Sequence, residues 1–130
     1  MNTQEQEKFI VDMYKDIFQN ADMDKFNDYF SKDFVEDNNY DVLDHATMME
    51  HVKEIGTRPE KAKFDLEFIV NEPRKVVVRT IVTYADQIAG AAPLSLLISY
   101  WGFNEEGKIN RCIEVEYPGE TDSDDDDDSK

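Results

Sequence analysis

The sequence predicts an α+β fold in which helices come first and an antiparallel or mixed sheet follows. In the first half of the chain the apolar residues recur with the helical period of 3.6, whereas from Lys63 onward they alternate with the strand period of two. Helices followed by consecutive strands favour an α+β layout over a βαβ alternation. With 130 residues, the chain has room for one domain around one hydrophobic core.

Helical periodicity predicts three helices. The first covers residues 4–19, where two adjacent apolar rows form a wide stripe: Phe9, Met13, Ile17 and Ile10, Tyr14, Phe18. A shorter helix is expected over residues 23–30, followed by a short strand over Asp33–Asp37 and a polar loop. The third helix begins at Asp44, whose carboxylate can cap the first turn, and Gly56 is expected as the residue just beyond its end, with Pro59 preventing continuation.

Alternating hydrophobicity predicts four more strands in the second half of the chain. In the first of these, Phe64, Leu66, Phe68 and Val70 are expected to share one face. Turns are expected at Glu72-Pro-Arg74 and Glu105-Glu-Gly107, and an interruption of the sheet is expected at Ala89–Pro93. The other strands are expected at Val76–Tyr84, Leu94–Asn104 and Ile109–Tyr117.

The charge distribution restricts the partners that the chain can have. The formal net charge is −16, and residues 119–130 form an Asp-rich, low-complexity segment, which we expect to be a disordered, solvated tail after a domain of residues 1–118. Nucleic acid and anionic membrane surfaces are both bound through clustered Lys and Arg, which this acidic chain lacks. We therefore expect neither partner.

The cellular location is predicted from the cysteine content and the N-terminus. The single cysteine, Cys112, cannot form an internal disulfide, which fits a reducing compartment. Residues 1–8 are polar and acidic, unlike a signal peptide, and no apolar run is long enough to cross a membrane. These features favour the cytoplasm.

Several short segments resemble bacterial ketosteroid isomerase and, more broadly, the nuclear-transport-factor-2-like superfamily, which includes SnoaL-like proteins. They occur in the order expected for that family: Met1-Asn-Thr3, Tyr14, Ala21-Asp-Met-Asp24, Phe30–Asp33, Val35-Glu-Asp37 and Phe103-Asn-Glu-Glu-Gly-Lys108. The resemblance covers residues 1 to about 117. It implies three helices on a strongly curved sheet that forms a cone around a mainly apolar cavity.

The resemblance also implies a catalytic site. The isomerase needs a carboxylate base to take a proton next to a ketone, and a tyrosine and a protonated aspartate to stabilise the enolate oxygen. By position, Tyr14 corresponds to the tyrosine and Asp37 to the base, whereas Ser99 stands where the family has its second acid. Since serine is a weaker donor than a carboxylic acid, we expect a slow isomerase, cyclase or dehydratase rather than an efficient steroid isomerase. The residues expected to line the pocket are Phe18, Phe34, Leu97, Trp101 and Phe103.

The residues themselves leave the functional class open. Tyr14 could equally be a core tyrosine, and Asp37 could be a solvated loop acid. Glu114 and Glu116 could either pair with cations on a neighbouring strand or project into the mouth of the pocket. An enzyme acting on a small apolar carbonyl compound and a non-catalytic ligand-binding or protein-interaction module both fit, because a fold does not fix a function.

No cofactor or metal is expected. His45 and His51 are six residues apart on one predicted helix, which places them about 120° apart around its axis, so they cannot chelate one ion together. No HExxH motif and no Cys–His ligand spacing is present.

The strand expected over Leu94–Asn104 is apolar on both faces, which predicts a partner. If Ser99 faces the cavity, Leu96, Ile98 and Tyr100 lie on the outer face, where a wet sheet would carry polar residues. A second copy of the chain is expected to cover this face. The resemblance agrees, because the family usually forms homodimers through the outer face of the sheet.

Overall fold

The structure, a computed structural model, describes residues 1–39, 41–57, 62–83 and 94–118. The helices are α1 (Thr3–Met13), α2 (Phe26–Tyr29) and α3 (His45–Gly56), and the strands are β1 (Phe30–Asn38), β2 (Asp41–Asp44), β3 (Lys63–Glu72), β4 (Lys75–Thr83), β5 (Leu94–Phe103) and β6 (Ile109–Pro118). Three helices packed on a mixed sheet confirm the predicted α+β class. The predictions for Pro59, Tyr84, Ala89–Pro93 and the tail from residue 119 lie outside the described residues.

The first helix reaches the length that its periodicity predicts, but it changes type on the way. After α1 the backbone widens into a π-helix over Tyr14–Gln19, in which the N–H of Asn20 donates to the carbonyl of Lys15 at 2.9 Å. Tyr14 therefore stands at the junction between the two helical segments. No helix in the described part of the chain is both long and apolar enough to span a lipid bilayer.

The start of α3 agrees with the sequence prediction, whereas its end does not. Asp44 caps the helix as predicted, with its Oδ1 accepting the N–H of Thr47 at 2.9 Å. The prediction for Gly56 was wrong, because this residue lies inside the last turn and Thr57 ends the helix. A side chain at Gly56 would approach Ala21 Cβ to 3.2 Å, so the glycine permits close packing rather than a left-handed turn.

The six strands form one open sheet in the order β2-β1-β6-β5-β4-β3. β1 and β6 pair in parallel, and every other neighbouring pair is antiparallel. β2 and β3 are the two edges, so the sheet does not close into a barrel. The sequence predicts a polar loop where β2 lies, because its four residues carry no alternating apolar pattern.

A bulge in β3 changes which of its side chains face the helices. The register shifts between Leu66 and Phe68, so Phe68 and Val70 turn to the outer face, where Phe68 is 55% exposed, and Ile69 packs against the core. The prediction that all four alternating apolar residues share one face was therefore wrong beyond Leu66. Arg79 opposite the bulge forms an ion pair with Glu67.

A buried glutamine fixes α1 across the sheet. Gln6 is 2% exposed, and its Oε1 accepts the N–H of Arg74 at 2.8 Å while its Nε2 donates to the carbonyl of Glu72 at 2.7 Å. These bonds attach the start of α1 to the turn between β3 and β4. The π-helix that follows is thereby held over the inner face of the sheet.

Candidate functional site

A cavity of about 400 Å³ lies where the π-helix, α3 and the inner face of the sheet meet. One part of its wall is apolar and aromatic, with Tyr14, Phe18, Leu43, Met48, Ile55, Ala62, Phe64, Val82 and Leu97. The remaining lining residues are polar or charged: Glu36, Asn38, Asp41, His51, Glu114 and Glu116. Most of the lining residues are apolar, as expected, but the four carboxyl groups among them were not predicted as a group.

Strand register brings the carboxyl groups together. In a row across four strands, Asp41 of β2 lies opposite Asn38 of β1, Asn38 lies beside Glu114 of β6, and Glu114 lies opposite Ser99 of β5. Glu36 is two residues before Asn38, so it shares the inner face of β1. The sheet itself therefore fixes the relative positions of these groups.

One amide bridges the two most buried carboxyl groups. Asn38 Nδ2 donates to Glu36 Oε2 at 3.1 Å and to Glu114 Oε2 at 3.2 Å. The other oxygen of Glu114, Oε1, accepts from Ser99 Oγ at 2.9 Å. Ser99 is fully buried, so it supports Glu114 from behind rather than from the cavity.

Burial changes the protonation of this carboxyl pair. Desolvation, followed by the charge of Glu36, raises the pKa of Glu114 to about 8. Desolvation also raises the pKa of Glu36, although hydrogen bonds from Asn38 and Cys112 oppose the rise. Two carboxyl groups this close cannot both ionise easily, so the pair retains a proton near neutral pH.

Cys112 completes the cluster beneath the two acids. Its Sγ and one oxygen from each of Glu36 and Glu114 lie within 4.8 Å of one another, a spacing that could hold a metal ion. However, burial raises the pKa of the Cys112 thiol, which opposes the thiolate form that metals bind. The Asn38 amide also presents N–H groups to both carboxyls, which fits a hydrogen-bonded network better than ligation.

Tyr14 brings a phenol into the same cavity. Its hydroxyl accepts a hydrogen bond from Trp101 Nε1 at 3.1 Å. Burial, followed by the charge of Glu114, raises the pKa of Tyr14 above its ordinary value, so the hydroxyl keeps its proton and remains a donor. The structure thus brings Tyr14 and Glu114 to one site.

The structure does not bring Asp37 to that site. Asp37 is exposed on the opposite face of β1, where its Oδ2 lies 3.7 Å from Arg111 Nη2. Successive side chains of a strand point to opposite faces, so the neighbouring Glu36 enters the cavity instead. The signal that could have identified Glu36 is its parity with the apolar Phe34, which is buried on the inner face.

The residues predicted to line the pocket divide into two groups. Phe18 and Leu97 line the cavity. Phe34, Trp101 and Phe103 are buried in the core and are not among the lining residues. Of these, Trp101 reaches the site through its hydrogen bond to Tyr14.

A second depression of about 700 Å³ lies at the start of β1 and the β5–β6 turn. Most of its lining residues are exposed, among them Lys32, Asp33, Glu105 and Glu106. It does not include the buried carboxyl cluster. The smaller cavity is therefore the candidate site.

Three helices over an open mixed sheet, with a cavity between them, define the fold of nuclear-transport-factor-2-like and SnoaL-like proteins. No protein-family model matches the sequence, and no curated protein matches it. Solved structures do match, and they confirm the fold that the resemblance implies.

Three of these structures illustrate the likeness. An LEH-like epoxide hydrolase from M. tuberculosis has a TM-score of 0.72 at 13% identity, covering 90% of this chain and 86% of its own. A protein from Jannaschia sp. CCS1, assigned as a SnoaL-like polyketide cyclase, has a TM-score of 0.72 at 10% identity. The match covers 88% of this chain and 86% of that protein. A nuclear-transport-factor-2-like protein from Cytophaga hutchinsonii has a TM-score of 0.69 at 11% identity. The match covers 89% of this chain and 100% of that protein. At such identities the likeness shows the fold alone.

The raised pKa of Glu114 predicts how stability depends on pH. In the unfolded chain this carboxyl ionises near 4.5, whereas in the folded protein it keeps its proton up to about pH 8. The free energy of unfolding should therefore fall as pH rises through this window, by up to about 1.4 kcal/mol per pH unit from this group. In Glu114→Gln this contribution disappears. Urea denaturation between pH 4.5 and 9 measures it, with the exposed Glu105→Gln as control, and equal pH dependence in both variants would contradict the assignment.

Proposed function

We propose that the cavity is an acid–base site for a small carbonyl compound, acting as an isomerase or lyase without a cofactor. The observation that carries the proposal is the pair of bridged carboxyl groups, Glu36 and Glu114, that holds one proton inside a small-molecule-sized cavity. Two neighbouring carboxyls with different proton affinities supply an acid and a base at the same pH.

Each carboxyl has a role in the proposed reaction. Ionised Glu36 takes a proton from the carbon next to the carbonyl group, and the C–H electron pair forms the double bond of an enolate. Negative charge develops on the carbonyl oxygen, where protonated Glu114 donates a hydrogen bond or its proton. Return of the proton to another carbon gives an isomer, and loss of a group from the β carbon gives an elimination product.

Tyr14 and Ser99 support this chemistry in different ways. Tyr14 lines the cavity close to Glu114, and its hydroxyl, oriented by Trp101 Nε1, is a second candidate donor. Ser99 positions Glu114 by donating to Oε1. Ser99 stands where the family resemblance leads us to expect an acid, and its cross-strand neighbour Glu114 supplies the missing carboxyl.

The similar structures support a catalytic cavity without specifying its reaction. The M. tuberculosis protein is named as an epoxide hydrolase and the Jannaschia protein as a polyketide cyclase. The same fold therefore carries different chemistries, and the reaction must be inferred from the residues of this chain.

We also propose that a second copy of the chain covers the outer face of the sheet. The exposed apolar side chains there come from three strands: Phe68, Val70, Ile98, Ile113, Val115 and Tyr117. Strand register places Arg79, Ile98 and Val115 in one row across β4, β5 and β6, with Phe68 at its end. A largely apolar surface of this kind, crossed by the Arg79–Glu67 ion pair, is typical of an interface.

Neighbouring acids of β1 test the proposed reaction. Glu36→Gln removes the base and should lower the rate of deuterium incorporation next to the carbonyl of small ketones by about 100-fold or more. Asp37→Asn removes a charge from the opposite face of the same strand and should leave the rate within about twofold. The measurement is proton NMR of a ketone panel in D₂O. Lack of exchange with wild-type protein, or a loss in Asp37→Asn instead, would refute the proposal.

A charge on the outer face tests the dimer. Wild-type protein should have twice the chain mass of 15.1 kDa by light scattering, and Ile98→Lys should have the mass of one chain because an unpaired charge cannot be buried in the interface. Val11→Lys places the same charge on the exposed side of α1 and should stay dimeric. A single-chain mass for the wild type would exclude this interface.

A further inference from the structure

Among the described residues that line the cavity, acidic side chains predominate. Four of the described lining residues are acids, namely Glu36, Asp41, Glu114 and Glu116. Among these lining residues there is no lysine or arginine, and His51 is the single basic side chain. Apart from the buried pair Glu36 and Glu114, the acids Asp41 and Glu116 can attract a positive charge.

No ion pair in the described ranges neutralises these acids. The pairs that the structure contains there lie on the helices or on the outer face of the sheet: Lys8–Asp12, Lys25–Asp16, Lys53–Glu50, Arg79–Glu67 and Arg111–Asp37. Glu36 and Glu114 are held instead by the neutral donors Asn38 and Ser99. Carboxylates clustered without a cation repel one another, so a cationic ligand between them would be favourable.

Another part of the cavity wall is aromatic. Three aromatic rings lie close together there, with centroids 5.6 Å apart for Tyr14 and Phe18, 5.9 Å for Phe18 and Phe64, and 6.2 Å for Tyr14 and Phe64. Ring faces accept both hydrocarbon groups and cations. The aromatic wall and the acids are independent features of one cavity.

The acids also differ in position. Glu114 and Glu116 are alternate residues of β6, so their Cα atoms are roughly 7 Å apart along the inner face. Asp41 is exposed on the edge strand β2, and Glu116 is half-buried. Glu116 and Asp41 can therefore bind a charged group while Glu36 and Glu114 remain free for proton transfer.

We infer that the ligand of this cavity is a small protonated amine with an apolar body. Its ammonium group lies between Asp41 and Glu116, and its apolar body lies on Phe18 and Phe64. This inference rests on the proposed acid–base function and names its substrate class, an amine that also carries a carbonyl group within reach of Glu114.

Three ligands of nearly equal shape test the charge preference. Isothermal titration compares 3-phenylpropylamine, 3-phenylpropan-1-ol and 3-phenylpropanoate, which are cationic, neutral and anionic at pH 7. The amine should bind about tenfold or more tightly than the alcohol, and the carboxylate should bind more weakly than either. Equal or tighter binding of the alcohol or carboxylate would overturn the inference.

Matched variants test which acidic side chains bind the ammonium group. Asp41→Asn with Glu116→Gln should weaken amine binding about tenfold and leave the alcohol unchanged. Asp37→Asn with Asp65→Asn also removes two charges, both from the outer face, and should change amine binding by less than about twofold. Equal effects of the inner and outer substitutions would show long-range attraction only and would contradict the site.

Binding and turnover separate this inference from the proposed function. The titration requires no reaction, so an amine preference is measured whether or not the protein exchanges deuterium. Absence of the preference in a protein whose exchange depends on Glu36 overturns the substrate class and leaves the acid–base site intact. An amine preference in a protein without exchange overturns the acid–base function and upholds the ligand charge.

Discussion

The burial of two carboxyl groups against one another is the constraint on which the rest of the site depends. Ionised carboxylates are strongly unfavourable away from water unless they are paired or hydrogen-bonded. Here the Asn38 amide reaches both acids, Ser99 supports Glu114, and one proton stays in the pair. This arrangement needs Glu36, Asn38 and Glu114 on the same face of two neighbouring strands, which the parallel β1–β6 register provides.

The same constraint explains the unusual alternation of β6. Glu114 and Glu116 face the cavity, so Ile113, Val115 and Tyr117 must face outward, where all three are exposed. A sheet with one face in solvent ordinarily shows the opposite arrangement, with apolar residues inside and charged residues outside. Because side chains of a strand alternate between its two faces, placing the acids of β6 in the cavity places its apolar residues on the outer face. This alternation links the candidate site to the proposed dimer interface.

Sequence periodicity predicted the helices and strands that bury a continuous row of apolar side chains. It missed the strand that forms only by pairing with a neighbouring strand. The alternating Val76, Val78 and Thr80 were sufficient to predict β4, but β2 forms only because β1 offers its edge. In the site, the structure places Tyr14 in the cavity wall, whereas Asp37 lies on the outer face and its neighbour Glu36 lines the cavity. Short motifs locate a strand, but the face that a strand residue occupies follows from its parity with buried neighbours such as Phe34.

A carboxyl NMR titration of protein labelled with ¹³C at the glutamate side chains tests the shared proton most directly. The account predicts that the Glu114 signal titrates with a midpoint near 8, and that it is coupled to the Glu36 signal. In Ser99→Ala the midpoint should move further upward, because Ser99 donates to the ionised carboxyl. Titration of both Glu36 and Glu114 near 4.5 would contradict the account.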